Sequence, residues 1–184
     1  MQHAIAHRRP IVAGLAAVAA LTLTAVGLAG PASAAPASDQ GNRPHPHLTV
    51  TPSRNLTDGT VITIRGTGFD TRTANPISPG TNAGAYVEIG WIEKSGWQPS
   101  KGFSQDTHSA ANLVWVHTGV TPGSVAQAEL HPDGSFKTTL KVDDKALQNE
   151  KIRGGVLAIF SVSALFTVSA GAEADVPITL KPQH

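Results

Sequence analysis

The chain has 184 residues, 14 of them Lys or Arg against 13 Asp or Glu, and no cysteine. That near balance excludes the strong overall positive field of a nonspecific nucleic-acid or anionic-membrane binder. The lack of cysteine excludes a disulfide framework and thiolate chemistry, and the length allows one domain plus a processed leader.

The leader comes first. His7, Arg8 and Arg9 form a basic start, and Ile11 to Gly30 is an uncharged apolar run rich in Ala and Gly. Ala32 and Ala34 then supply the A-x-A spacing that a signal peptidase reads. An apolar run of roughly 20 residues could also remain in the bilayer as an anchor, but the helix-breaking Gly30-Pro31 favours cleavage after Ala34. Residues 1–34 are therefore expected to be a signal peptide and the protein to be secreted, with no membrane attachment afterwards. Removing Arg8 and Arg9 from the 14 basic residues leaves 12 against 13 acids, so no specific nucleic-acid binding is expected of the mature chain.

Residues 35–46, "APASDQGNRPHP", are rich in Pro, Ser, Gly and Asn and lack apolar periodicity, the composition of a flexible linker. His45 and His47 flank a proline, but two imidazoles without a third ligand make no metal site, and none is expected.

From His47 to the end the texture is that of a single β domain. "HLTVT" alternates and stops at Pro52. "TVITIRG" puts Ile62 and Ile64 on one face and Val61, Thr63 and Arg65 on the other. "AYVEIGWI" puts Val87, Ile89 and Trp91 on one face, with Tyr86, Glu88 and Gly90 opposite. "NLVWVH" (112–117) and "AQAEL" (126–130) follow, and "SFKTTLKV" sets Phe136, Thr138 and Leu140 on one side. "DDKALQNEKI" alone has helical composition, enough for a turn of helix or an exposed loop. "GVLAIFSVSALFTV" is apolar on both faces, and "VPITL" closes the chain. Gly- and Pro-containing turns separate these runs, among them Thr57-Asp58-Gly59 and Pro132-Asp133-Gly134. Seven or eight short strands with turn punctuation predict an all-β, immunoglobulin-like two-sheet Greek-key sandwich of about seven strands over residues 47–184.

The G-x-G at Gly66 and Gly68 follows a strand, as a nucleotide-binding loop would. A dinucleotide fingerprint must then open a helix, whereas here Pro76 and Pro79 and the absence of a 3.6-residue period preclude one. The glycines are expected to mark a strand end or bulge, with Phe69 turned inward.

The block "LTVTPSRNLTDGTVITIRGTGF", Leu48 to Phe69, resembles the opening of the neocarzinostatin family, the secreted apoproteins of antitumour chromoproteins. It carries T-V-T-P-S, L-x-D-G-T-V and a G-x-G followed by a hydrophobe, and the "AAP" after the expected cleavage site is similar too. The later G-A-Y-V-E-I-G-W and V-P-I-T-L also resemble immunoglobulin-like domains of secreted actinobacterial proteins, some of which accompany haem-transport-associated domains. The resemblance implies a seven-stranded immunoglobulin-like sandwich. In the chromoprotein branch it further implies a cleft that sequesters an apolar enediyne chromophore. This chain departs from that branch in lacking its two disulfides and in the insert between the second and third strands and the region from Trp97 to Leu130, which are longer or different.

Catalysis is not expected. Glu88 and Glu93 fall on opposite faces of their strand and so do not flank one bond. Asp106, His108 and Ser109 are close in sequence, which does not supply a triad's convergence, and there is no G-x-S-x-G or H-E-x-x-H. The aromatic residues are the better lead. Trp91 aligns with Val87 and Ile89 and reads as core. Tyr86 and Glu88 share the opposite face, Trp115 and His117 share a face of their strand, and Trp97 lies beyond the Ser95-Gly96 turn. Both faces of 156–160 are apolar, so the outer one needs a cover, which a loop around Trp97 to His108, a partner or a ligand could provide. The expected function is a non-enzymatic binding module without a cofactor. A small apolar or aromatic molecule would lie against Tyr86, Glu88, Trp97, Trp115, His117 and Phe160. The alternative is an extracellular structural or adhesion domain that contacts a cell-envelope protein; a haem-related accessory, with few candidate axial ligands, is a weaker third.

Overall fold

The computed structural model describes residues 44–76, 79–101, 108–121, 126–165 and 169–182. The expected leader (residues 1–34), most of the expected linker, and Asp106 of the Asp-His-Ser group lie outside the described residues. No helix among the described residues is long and apolar enough to cross a membrane.

The strands are β1 (His47–Thr51), β2 (Val61–Thr67), β3 (Ala85–Ile92), β4 (His108–His117), β5 (Gln127–Glu129), β6 (Phe136–Lys141), β7 (Val156–Ser163) and β8 (Ala174–Pro177), with one helix, α1 (Asp144–Asn149). They form an all-β sandwich of two sheets, β1-β2-β6 and β5-β4-β3-β7-β8. The chain changes sheet between β2 and β3, again between β5 and β6, and again between β6 and β7, which gives the expected two-sheet, immunoglobulin-like architecture. The eighth strand is β5, three residues paired in parallel with β4 through Trp115↔Gln127 and His117↔Glu129.

Alternation decides what each sheet buries. Ile62 and Ile64 of β2 are fully buried and face Val87 and Ile89 of β3 in one core, joined by Leu48, Val116, Leu140 and Ile159. Each such side chain contributes about 1.5–3 kcal/mol through its removal from water. Trp91 sits at the edge of this core as a half-buried residue, its Nε1–H donating to the Leu147 carbonyl of α1 at 2.8 Å. The helix itself is short, capped by the Asp143 carboxylate, which accepts from the Ala146 amide at 2.8 Å, and anchored by buried Leu147.

The two glycines behave as a strand exit. A Cβ at Gly66 would lie 2.0 Å from the Phe136 ring, so the missing side chain is what lets that ring pack across β2. Gly68 has φ +70°, and a Cβ there would meet the His45 carbonyl at 2.3 Å. Phe69 then turns inward, its ring edge-on to Phe136 at 5.0 Å. Pro44 and His45, the end of the expected linker, therefore lie against the domain at Gly171 and Gly68.

The last strand ends earlier than its sequence suggests. β8 pairs with β7 only as far as Pro177. Ile178 then donates to the Leu157 carbonyl, and the chain crosses to Ser53–Leu56, where Thr179 N–H donates to Ser53 O, Leu56 N–H to Thr179 O and Lys181 N–H to Leu56 O at 2.8–3.0 Å.

Candidate functional site

The outer face of the five-stranded sheet carries five of the six candidate ligand-contacting residues, and the sixth, Trp97, comes over it from the β3–β4 loop. On β3 this face presents Tyr86, Glu88, Gly90 and Ile92, and on β7 it presents Ala158, Phe160 and Val162, paired with Gly90, Glu88 and Tyr86 respectively. On β4, Leu113 pairs with Glu88 and Trp115 with Tyr86. A bulge at Ala111 shifts the β3–β4 register, so that Ala110 pairs with Gly90 and His108 with Ile92. The extra residue reverses the in–out alternation, which brings His108 and Ala110 to the outer face. Ser109 consequently points the other way, where its hydroxyl donates to the Glu150 carboxylate, so His108 and Ser109 do not converge.

The six candidate residues do not form one cleft. At the Ile92 end, Trp97 is only 3 % exposed and packs over Phe160, ring centroids 4.9 Å apart, with Ile92 and Ala158 completing a buried apolar cluster. Its Nε1–H donates to the Ser161 carbonyl at 2.7 Å. Ser100 ties the same loop down by donating its amide and hydroxyl to the Glu173 carboxylate at 2.9 and 2.7 Å. A hydrogen bond from the Trp97 backbone reaches Asp175, whose carboxyl is nonetheless held above its usual range, chiefly by burial. The cover that the doubly apolar β7 required is thus, in the described residues, the Trp97 loop, and Phe160 lies fully buried beneath it.

At the Tyr86 end the face is open. A groove of about 490 Å³ is lined by Tyr86, Trp115 and His117 from the sheet and by Asn75, Thr81 and Ala83 from the β2–β3 connection. That connection folds back on itself through Asn75 N–H to Thr81 O and Ala83 N–H to Thr73 O, and the Asn82 side-chain amide donates to the Asp70 and Thr73 carbonyls. Trp115 is half-buried, with its ring orientation fixed by Nε1–H donation to the Ala83 carbonyl at 2.8 Å. His117 stacks on it at 3.7 Å and 24°. Nδ1 of His117 lies 2.8 Å from the Thr118 carbonyl, which can only accept, so Nδ1 carries the proton. The Gln127 side chain approaches Nε2 at 3.3 Å. Tyr86 completes the wall, 6.4 Å from the Trp115 ring.

Glu88 lies between the two ends. Glu88 is 6 % exposed and flanked across the strands by Leu113 and Phe160. Burial pushes its carboxyl up from 4.5 to about 7. Glu93, as its parity requires, is not beside it.

A larger hollow of about 680 Å³ lies beside α1, but Val142 is its only apolar lining residue among side chains such as Asp58, Lys141, Asp143 and Lys145. No cluster of His, Asp or Glu suited to a metal ion occurs among the described residues. The groove residues Asn75, Thr81 and Ala83 carried no signal in the sequence, because the β2–β3 connection reaches the site only through its own hydrogen bonds, and Gln127 arrives through the parallel pairing of β5 with β4. No protein-family model matches the chain, and no curated protein matches it.

Proposed function

We propose that the domain is an exported, non-enzymatic binding module that holds a small flat aromatic or apolar molecule in the groove beside Tyr86, Trp115 and His117. The observation that carries this reading is the Trp115–His117 stack, an aromatic wall held by hydrogen bonds to backbone carbonyls and left facing an open groove. A volume of about 490 Å³ suits a small organic ligand. Stacking and loss of apolar surface to water would supply the affinity, and His117 with Gln127 would orient a polar substituent. The resemblance of Leu48–Phe69 to the neocarzinostatin family gives the reading its form, sequestration rather than turnover, and membership of that family belongs to the same proposal. The site is smaller than the six-residue cleft expected from sequence, since Trp97 and Phe160 serve each other.

Titration with flat bicyclic probes such as 1-naphthol and indole, followed by amide and indole NMR shifts, tests it. Saturable shifts are expected at Trp115, His117 and Tyr86, with the Trp91 and Trp97 indoles unmoved, and Trp115→Ala should abolish the response. Absence of any saturable shift at the groove across the probe set would sink the reading. Recovery of a stable complex with an envelope protein instead would move it to the adhesion alternative.

A further inference from the structure

The outer face of the three-stranded sheet is a second, chemically different surface. Its outward positions are set by register. Thr51, Thr63 and Thr139 stand in one row across β1, β2 and β6, and Thr49, Arg65 and Lys137 stand in the next. Val61 and Lys141 pair at one end and His47 and Thr67 at the other. The face therefore holds Arg65, Lys137 and Lys141 and not one Asp or Glu, although the whole chain is nearly neutral.

Two observations mark the middle of this face. Arg65 and Lys137 are exposed, are direct cross-strand partners, and make no ion pair among the described residues. Like charges placed opposite each other on a sheet destabilise it, and an anion between them would remove that repulsion. The same two residues, with Thr49, Thr51 and Thr63, line a shallow hollow of about 310 Å³. Lys141 is less available, because it shares the α1 hollow with Asp58 and Asp143.

We infer that this face docks a linear acidic polysaccharide, with Arg65 and Lys137 taking a carboxylate or sulfate group and the threonine row taking sugar hydroxyls. A guanidinium and an ammonium side by side suit such an oxyanion. Hydroxyls spaced about 4.8 Å across strands and about 6.6 Å along them repeat on the scale of a sugar ring. The other polyanions fit less well. No Phe, Tyr or Trp stands on the face to stack a nucleobase, its one imidazole, His47, lying at the far end, and Val61, 59 % exposed, is its only large apolar side chain, too little for insertion into a lipid surface.

The test uses the chain as secreted and four probes: a heparin oligosaccharide, a polygalacturonate oligosaccharide, inorganic polyphosphate and a neutral dextran oligosaccharide. Both acidic glycans should bind with salt-sensitive affinity and shift amides of β1, β2 and β6, whereas dextran should not bind. Arg65→Gln with Lys137→Gln should weaken acidic-glycan binding at least tenfold. Thr63→Val with Thr139→Val should weaken it severalfold while leaving any polyphosphate binding unchanged. All four substitutions are on the outward face, and an unchanged thermal transition verifies that the variants fold. Equal binding by the Gln variant, shifts confined to another face, tight dextran binding, or a Val variant indistinguishable from the parent would each overturn the inference.

Discussion

The two ends of one sheet face carry a tryptophan each, and the two indoles make the same bond to a backbone carbonyl, yet one is sealed and the other is open. Trp97 comes from a loop that is tied to Ser161, Glu173 and Asp175, so it is pressed onto Phe160 and becomes core. Trp115 comes from the strand itself, has His117 stacked against it, and is left half-buried beside a groove. Identical side-chain chemistry therefore yields a packing element at one end and a candidate contact at the other. The difference lies in which loop arrives and what holds it. Bulged β4 contributes to both ends, since Ala111 turns His108 toward Trp97 while Trp115 keeps its place opposite Tyr86.

The largest effect that sharpens this contrast is on stability. Trp97→Ala should cost about 3–5 kcal/mol, because it leaves a cavity over Phe160 and an unpaired Ser161 carbonyl. A urea unfolding series would measure it, and a loss below about 1 kcal/mol would show that the sealed end is not sealed by Trp97. Next comes Glu88, at the boundary. Below pH 4.5 its carboxyl is protonated in both folded and unfolded chains. Between pH 4.5 and 7 the unfolded chain releases the proton first, so stability falls as pH rises, and above about 7 the whole penalty is present. Glu88→Gln should therefore stabilise the protein at pH 8 by up to about 3 kcal/mol and have little effect at pH 4. The same unfolding series run at both pH values checks this. Trp115→Ala should cost only about 1–2 kcal/mol, since half the ring is already in water, while eliminating the response to flat aromatic probes. The smallest effect is expected of Ser100→Ala, within about 1 kcal/mol because its bonds to Glu173 are at the surface. Faster hydrogen exchange of the Trp97 indole would reveal it.

The fold was legible where alternation is simple. Ile62 and Ile64 against Val61, Thr63 and Arg65, or Val87 and Ile89 against Tyr86 and Glu88, specify strand and face together, because a one-residue slip would reverse both. The doubly apolar β7 also announced that something must cover it. The site was less legible for three physical reasons. A bulge at Ala111 leaves no mark in composition, yet it changes which residues share a face. Trp97 sits in a loop, where no period says whether an indole will pack or stay open. The other wall of the groove is built by Asn75, Thr81 and Ala83, whose position depends on backbone hydrogen bonds within the β2–β3 connection. Strand parity puts Trp115 and His117 on one face of β4, and the β3–β4 register sets Tyr86 beside them; Phe160 shares that sheet face, but parity does not register its depth beneath Trp97.

The crossing of the last residues has a mechanical consequence. Leu56 and Leu180 run parallel where they bridge, and Ile178 still holds the other sheet through Leu157. In a chain with no cysteine, this backbone stitch joins the two layers near their ends in place of a covalent link. Tension applied at the C-terminus would meet the Ser53–Leu56 bonds in shear, several at once, instead of peeling them singly. The domain is thereby built to resist being drawn out from its final residues, and a chain cut after Pro177 would lose that resistance before it lost any strand.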